Sequence, residues 1–232
     1  MGPGALTINE QAALAHLQGA DPVMSALITR VGAFEMRPDN EDPFRSLARS
    51  IVFQQLSGKA AGTIFGRLLA LFDPESAVDA DVRRTDPEWT PLTRPFPRPE
   101  AVLAATDEQL RAVGLSRQKV ASIRSLAEHF ASGELGSEQF DSWDDEQIIE
   151  HLTRVRGIGR WSAEMFLMFH LHRPDVLPVN DVGINRALMK CYALDSLPKP
   201  DDVRRIGEPW HPFATVSCWY LWRSEDVRLL VE

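Results

Sequence analysis

The chain has 232 residues, 33 acidic against 25 basic, for a net charge of −8, and only two cysteines, Cys191 and Cys218. Its hydrophobic and charged fractions are those of an ordinary globular protein, and no apolar run approaches the roughly 18 residues of a membrane crossing. Two thiols fall short of the about four that hold an iron–sulfur cluster, and the opening MGPGALTINEQ lacks the basic and apolar regions of a secretory leader. A reducing compartment is therefore expected.

Helical periodicity dominates, and strand-type alternation is scarce. In chain order, helices are expected over 11–17, 43–71, 107–113, 118–130, 144–155, 161–171 and 182–192. Gly58 and Gly62 either break the long stretch 43–71 in two or permit close helix packing. Thr106-Asp107-Glu108 and Ser116-Arg117-Gln118-Lys119 read as helix starts, and Ser142 with Asp145 resembles a capping box. The prolines between 87 and 99 remove backbone donors and exclude a regular element, so a long connection is expected there. The pattern is all-α with two lobes rather than α/β.

Acidity counts against a nucleic-acid partner, because phosphate affinity comes from Lys and Arg. Distribution matters more than the sum. Acids gather at 39–42, 73–81 and 141–150, whereas 151–163 carries Arg154, Arg156 and Arg160 and no acid. In the same stretch an amphipathic helix runs into Gly157-Ile158-Gly159 and a second helix begins at once. The glycines permit unusual backbone angles and close approach, and Ile158 is placed to plug the joint between the helices. The unpartnered N–H groups at the start of the second helix suit a phosphate, with Arg156 and Arg160 beside them. Gly-x-Gly alone would mean no more than a chain reversal; the flanking arginines and the following Trp161-Ser162-Ala163 are what make the string specific.

Beyond the second helix, Pro174 and Pro178 force a turn and an extended approach to Asn180-Asp181, where another helix opens. An acid at a first turn has an ordinary role, since it complements the helix dipole. Trp219 lies in the aromatic stretch Pro209-Trp210 to Trp222, and large aromatics are most often core.

The string from Leu152 to Ala163 resembles the hairpin of the helix-hairpin-helix DNA glycosylases, especially the DNA-3-methyladenine glycosylase II family. Gln54-Gln55-Leu56-Ser57, Gly114-Leu115-Ser116 through Lys119, Leu177-Pro178-Val179-Asn180-Asp181 and the C-terminal Pro-Trp…Trp-Tyr stretch fall in the family's order, so the likeness runs from about Pro43 to Trp222. It implies a two-lobed helical bundle with the active-site cleft between the lobes. A leading segment, 1–42, would precede a catalytic region, 43–232, with no separate β-rich N-terminal domain. Asp181 would be the catalytic carboxylate, and Trp161, Trp219 and Met165 would form the base pocket. Met165 stands where bacterial relatives carry a further aromatic. Arg156, Gly157, Ile158, Gly159, Arg160, Ser116 and Lys119 would hold DNA, while Gln55 or Leu56 would fill the gap left by a flipped nucleotide. A structural monovalent cation would sit on the carbonyls of Thr153, Val155 and Gly157, with no cofactor required.

Related bifunctional enzymes carry a Schiff-base lysine where this chain has Trp161, and no other lysine lies between His151 and Met189. The expected activity is therefore excision of alkylated bases from double-stranded DNA without strand cleavage. The protein would be a monomer, cytoplasmic in a bacterium or nuclear in a eukaryote. The mismatch-directed branches typically carry a C-terminal cysteine cluster, absent here, and the 8-oxoguanine branch uses the lysine. A non-catalytic helix-hairpin-helix DNA-binding module is the alternative from another class. A helical protein-interaction domain suits the acidity but leaves the ordered motifs unexplained.

Overall fold

A computed structural model describes residues 8–36, 41–72 and 96–227. Among them are thirteen α-helices and no strand: α1 (Glu10–Ala20), α2 (Pro22–Val31), α3 (Pro43–Phe53), α4 (Gly58–Phe72), α5 (Pro99–Ala104), α6 (Asp107–Ala112), α7 (Arg117–Ala131), α8 (Ser137–Ser142), α9 (Asp145–Arg154), α10 (Arg160–Phe169), α11 (Val182–Cys191), α12 (Pro200–Gly207) and α13 (Ala214–Val227). A short 3-10 turn, Glu208–Trp210, precedes α13. None of these helices is long and apolar enough to cross a membrane. The acidic run 73–81 and most of the proline-rich connection lie outside the described residues.

The stretch 43–71 does break, at Gln54 to Ser57, giving α3 and α4. Thr106 and Ser116 cap α6 and α7 as read, the first in a full capping box with Gln109. The third start lies two residues later than expected. Asp144, not Ser142, accepts from the Gln147 backbone N–H at 2.8 Å while Gln147 Oε1 accepts from Asp144 N–H at 3.0 Å. Ser142 instead donates to the Gln139 carbonyl at the close of α8. Three of the unanticipated helices, α2, α5 and α12, begin with proline at the first helical position. There its missing N–H costs nothing and its fixed φ suits the helix.

The chain forms two compact units. The contiguous one, 41–159, is organised on α7, which packs against α3, α5 and α6, with α4 laid on α3. Its core includes Leu47, Ile51, Leu68, Ile123 and Leu126. The other unit joins 1–40 to 160–232. There α13 packs on α11 and α2, and α1 packs on α2. Helices α1 and α2, from the leading segment 1–42, thus build the same core as the C-terminal helix. Asp21 joins them, its Oδ2 accepting from Trp210 Nε1 at 2.9 Å and from the Tyr192 hydroxyl, and its Oδ1 capping α2 through the N–H groups of Val23 and Met24.

Candidate active site

In the unit 41–159, α9 ends at Arg154 and the chain turns through Gly157, whose φ is +83°. A Cβ there would lie 2.4 Å from Ser122 Oγ and 3.2 Å from Ser122 Cβ on α7. Gly157 is therefore required twice, by its backbone angle and by close packing. Gly159 is not: its φ is unexceptional and a Cβ would meet nothing within 4 Å. We expect Gly157→Ala to cost about 1–3 kcal/mol and Gly159→Ala close to nothing, a contrast that thermal melts would read. Ile158, expected to plug the joint, is buried, 5% exposed.

The basic face is smaller than the sequence suggests, because acids outside the run answer it. Arg154 pairs with Glu150 at 2.7 Å and Glu134 at 3.4 Å, and Arg160 pairs with the buried Glu164 at 3.0 Å, one turn further along α10. The Arg156 side chain is exposed, while its backbone N–H donates to Ser125 Oγ at 3.2 Å. Lys119 departs from expectation. Its ammonium turns inward and donates to the carbonyls of Val52 at 2.6 Å and Gln54 at 2.8 Å, closing the end of α3. Burial there lowers its pKa. Ser116 remains at the exposed start of α7, its hydroxyl accepting from Lys119 N–H. Gln55 and Leu56 form the turn between α3 and α4. Gln55 has a left-handed φ of +59°, and Leu56 is 40% exposed rather than buried.

In the unit 1–40 with 160–232, Asp181 occupies the N-cap of α11, 6% exposed. Its Oδ1 accepts from Ile184 N–H at 2.7 Å and from Trp222 Nε1 at 3.0 Å; its Oδ2 accepts from Trp161 Nε1 at 2.7 Å. The cap bond is the ordinary role of an acid at this place; two indole donors converging on the same carboxylate are not. Gly183 makes room for this arrangement. A Cβ there would come within 3.1 Å of both Asp181 Oδ1 and Trp222 Cδ1. Trp161 is 49% exposed and offers a ring face beside the carboxylate, and Phe169 stacks on Trp222 with centroids 5.6 Å apart.

Trp222 is the residue that sequence reasoning missed. The pocket expected from Trp219 is filled by other groups: Trp219 is 6% exposed, with Phe34 edge-on at 5.0 Å and the Arg223 guanidinium over its ring at 5.4 Å. A cationic base would have to displace a cation already there. Met165 is half-buried on α10. Asp175, in the loop ahead of Asp181, pairs with His211 Nδ1 at 2.7 Å and accepts from the Ala214 N–H that opens α13. The Gly157 carbonyl, expected to face a cation, accepts from Gln54 Nε2 at 3.0 Å.

Comparison with known proteins gives the family. The chain is 33% identical over 217 residues to DNA-3-methyladenine glycosylase 1 of Schizosaccharomyces pombe, covering 91% of this chain and 86% of that protein. The structure of the S. pombe 3-methyladenine DNA glycosylase in complex with abasic DNA matches with a TM-score of 0.72, at 32% identity over 93% of this chain and 97% of that one. A DNA-3-methyladenine glycosidase from Bacillus halodurans matches with a TM-score of 0.78, at 33% identity over 94% of this chain and 91% of that one. Residues 48–212 match the family model described as HhH-GPD superfamily base excision DNA repair protein, and the chain belongs to that superfamily.

Proposed function

We propose that the chain is a monofunctional DNA glycosylase that excises alkylated bases, of which 3-methyladenine, 7-methylguanine and ethenoadenine are the test set. The observation that carries this reading is the buried Asp181 carboxylate held by three N–H donors, two of them indoles, in a chain with no lysine between His151 and Met189. The cap bond to Ile184 alone would suit a non-catalytic DNA-binding module; it leaves the two indoles unexplained.

The chemistry follows from the groups present. A purine methylated at ring N3 or N7 carries positive charge, and when its N-glycosidic bond breaks the electron pair leaves with the base, which departs neutral; uncharged ethenoadenine departs neutral only by taking a proton from solvent as the bond breaks. Positive charge then develops on the deoxyribose, where a fixed carboxylate stabilises it. Water adds to the anomeric carbon and its proton passes to Asp181 or to solvent, leaving an abasic site. The exposed face of Trp161 suits a cationic base, with about 0.5–2 kcal/mol of attraction depending on desolvation. At the hydrolase's lyase-type position stands Trp161, whose ring cannot form a Schiff base.

Upstream of the chemistry, the base must leave the stack at a cost of a few kcal/mol, which the Gln55-Leu56 turn offsets by filling the gap. Arg156 and the N–H groups around Gly159 hold the adjacent phosphates, so Gly159→Ala weakens DNA binding without lowering stability. The carbonyls of Thr153, Val155 and Gly157 would hold a monovalent cation through their second lone pairs, since Val155 O already accepts from Ile158 N–H at 3.1 Å and Gly157 O from Gln54 Nε2 at 3.0 Å; its part would be to steady the hairpin, and no chemical step runs through it. The protein acts as a monomer on double-stranded DNA, in the cytoplasm of a bacterium or the nucleus of a eukaryote.

The test is release of free base from methylated duplex DNA, resolved by chromatography, with strand breaks scored before and after alkali. Free alkylated purines with breaks only after alkali are expected. Binding without release from methylated and etheno-substituted DNA would leave only a DNA-binding module.

A further inference from the structure

One polar contact in the unit 41–159 joins two pieces that the sequence keeps 103 residues apart. Gln54 Nε2 donates to the Gly157 carbonyl at 3.0 Å. Gln54 closes α3 and immediately precedes the Gln55-Leu56 turn, whereas Gly157 is the left-handed apex of the hairpin. The contact does not stand alone. Helix α7 presents Lys119, Ser122 and Ser125 at intervals of three, the spacing that lines residues along one helix face. Lys119 Nζ donates to the Gln54 and Val52 carbonyls, Ser122 packs where a Cβ on Gly157 would fall, and Ser125 Oγ accepts from Arg156 N–H. Both ends of Gln54 are therefore fixed: its carbonyl to α7 through Lys119, and its side chain to the hairpin.

We propose that Gln54 is a positioning residue that holds the gap-filling turn in register with the phosphate-gripping hairpin. The inference rests on the DNA roles assigned above to these two elements and deepens them. A hairpin alone grips any duplex, because phosphates carry no information about damage. A gap-filling turn profits only if its side chain arrives at the gap while the hairpin holds the neighbouring phosphates. The Gln54–Gly157 hydrogen bond transmits that register, so it matters for duplexes with a vacant position and little for intact ones. Lys119, inward-facing, contributes by closing α3 rather than by touching DNA.

The experiment compares binding to a duplex carrying a stable abasic-site analogue with binding to the same duplex intact, for Gln54→Met, Gln54→Glu, Leu56→Ala and the Gln54→Met/Leu56→Ala pair. Gln54→Met keeps length and volume but removes the donor; Gln54→Glu sets a carboxylate against the Gly157 carbonyl. Gln54→Met should lower the preference for the abasic duplex about three- to tenfold, the range of one hydrogen bond, with affinity for the intact duplex and its salt dependence unchanged. Gln54→Glu should lower it further, and the double variant should lose no more than Leu56→Ala alone. The wild-type preference reports on the glycosylase reading, and only the change between variants reports on Gln54. Equal losses on both duplexes, additive losses in the double variant, or an unchanged preference in both Gln54 variants would overturn the proposal.

Discussion

Asp181→Asn is expected to reduce base release by roughly 10²–10³ while leaving DNA binding and the fold in place. Asparagine is as good an N-cap as aspartate, so its oxygen continues to accept from Ile184 N–H and Trp222 Nε1 at the start of α11. Its amide would face the Trp161 indole, donor against donor, and Trp161 is exposed enough to turn away. What the variant lacks is the negative charge opposite the developing sugar cation. Single-turnover base release read beside a thermal melt separates this loss from unfolding. A variant that melts like wild type and still releases base at the wild-type rate would remove Asp181 from the chemistry.

The largest stability effect is expected at Asp21, outside the candidate site. Asp21→Ala leaves the Trp210 indole and the Tyr192 hydroxyl without their acceptor and removes the cap of α2. Two unsatisfied donors in a buried setting cost about 3–5 kcal/mol together, equivalent to a fall in Tm of roughly 8–15 °C for a chain of this size. Burial by itself would raise the Asp21 carboxyl, but hydrogen bonds from Tyr192, Trp210, Met24 and Val23 outweigh it and hold its pKa below 3.8. Its contribution is therefore present above that pH and lost as the pH falls below it. Tyr192 shifts the other way, pushed far above its ordinary 10.0 by burial and by the Asp21 carboxylate. The folded state resists losing that proton, so stability is full below pH 10 and declines above it. Melts across the pH range should show both edges in the wild type, and Asp21→Ala should flatten the acid one. An acid edge unchanged in the variant would place its origin elsewhere.

Much of the fold was legible because local signals agreed with the tertiary ones. Thr106 and Ser116 cap helices through bonds that span only three residues, and Gly157 carries its own turn. The helix at Asp181 was readable from Pro178 and the periodic run beyond it. Helix α13 was legible only by resemblance, since residues 214–221 are buried on every side and leave no amphipathic stripe to read. The short helices α5, α8 and α12 have too few turns for periodicity to register.

Of the candidate site, Asp181 and Trp161 were named from the sequence and the structure brings them together, and less was legible beyond them. Trp219 and Trp222 lie three residues apart on α13, and nothing in their spacing says which indole reaches a carboxylate on another helix. That choice is made by Gly183, whose missing side chain admits Trp222, and by Phe34 and Arg223, which cover Trp219. Lys119 is a similar case. A lysine at an exposed helix start reads as a phosphate ligand until the two carbonyls at the end of α3 are seen within its reach. Gln54 looked like an ordinary part of its turn because its partner is 103 residues away.

The measurement that bears most directly on Asp181-dependent excision uses a duplex with a single 7-methylguanine, incubated with excess wild-type protein or Asp181→Asn. Borohydride is present in parallel samples, and products are resolved before and after hot alkali. The account predicts wild-type strand breaks only after alkali, no trapped protein–DNA adduct, and a slower reaction by at least two orders of magnitude for Asp181→Asn. An adduct trapped by borohydride, breaks without alkali, or equal rates for the two proteins would contradict it.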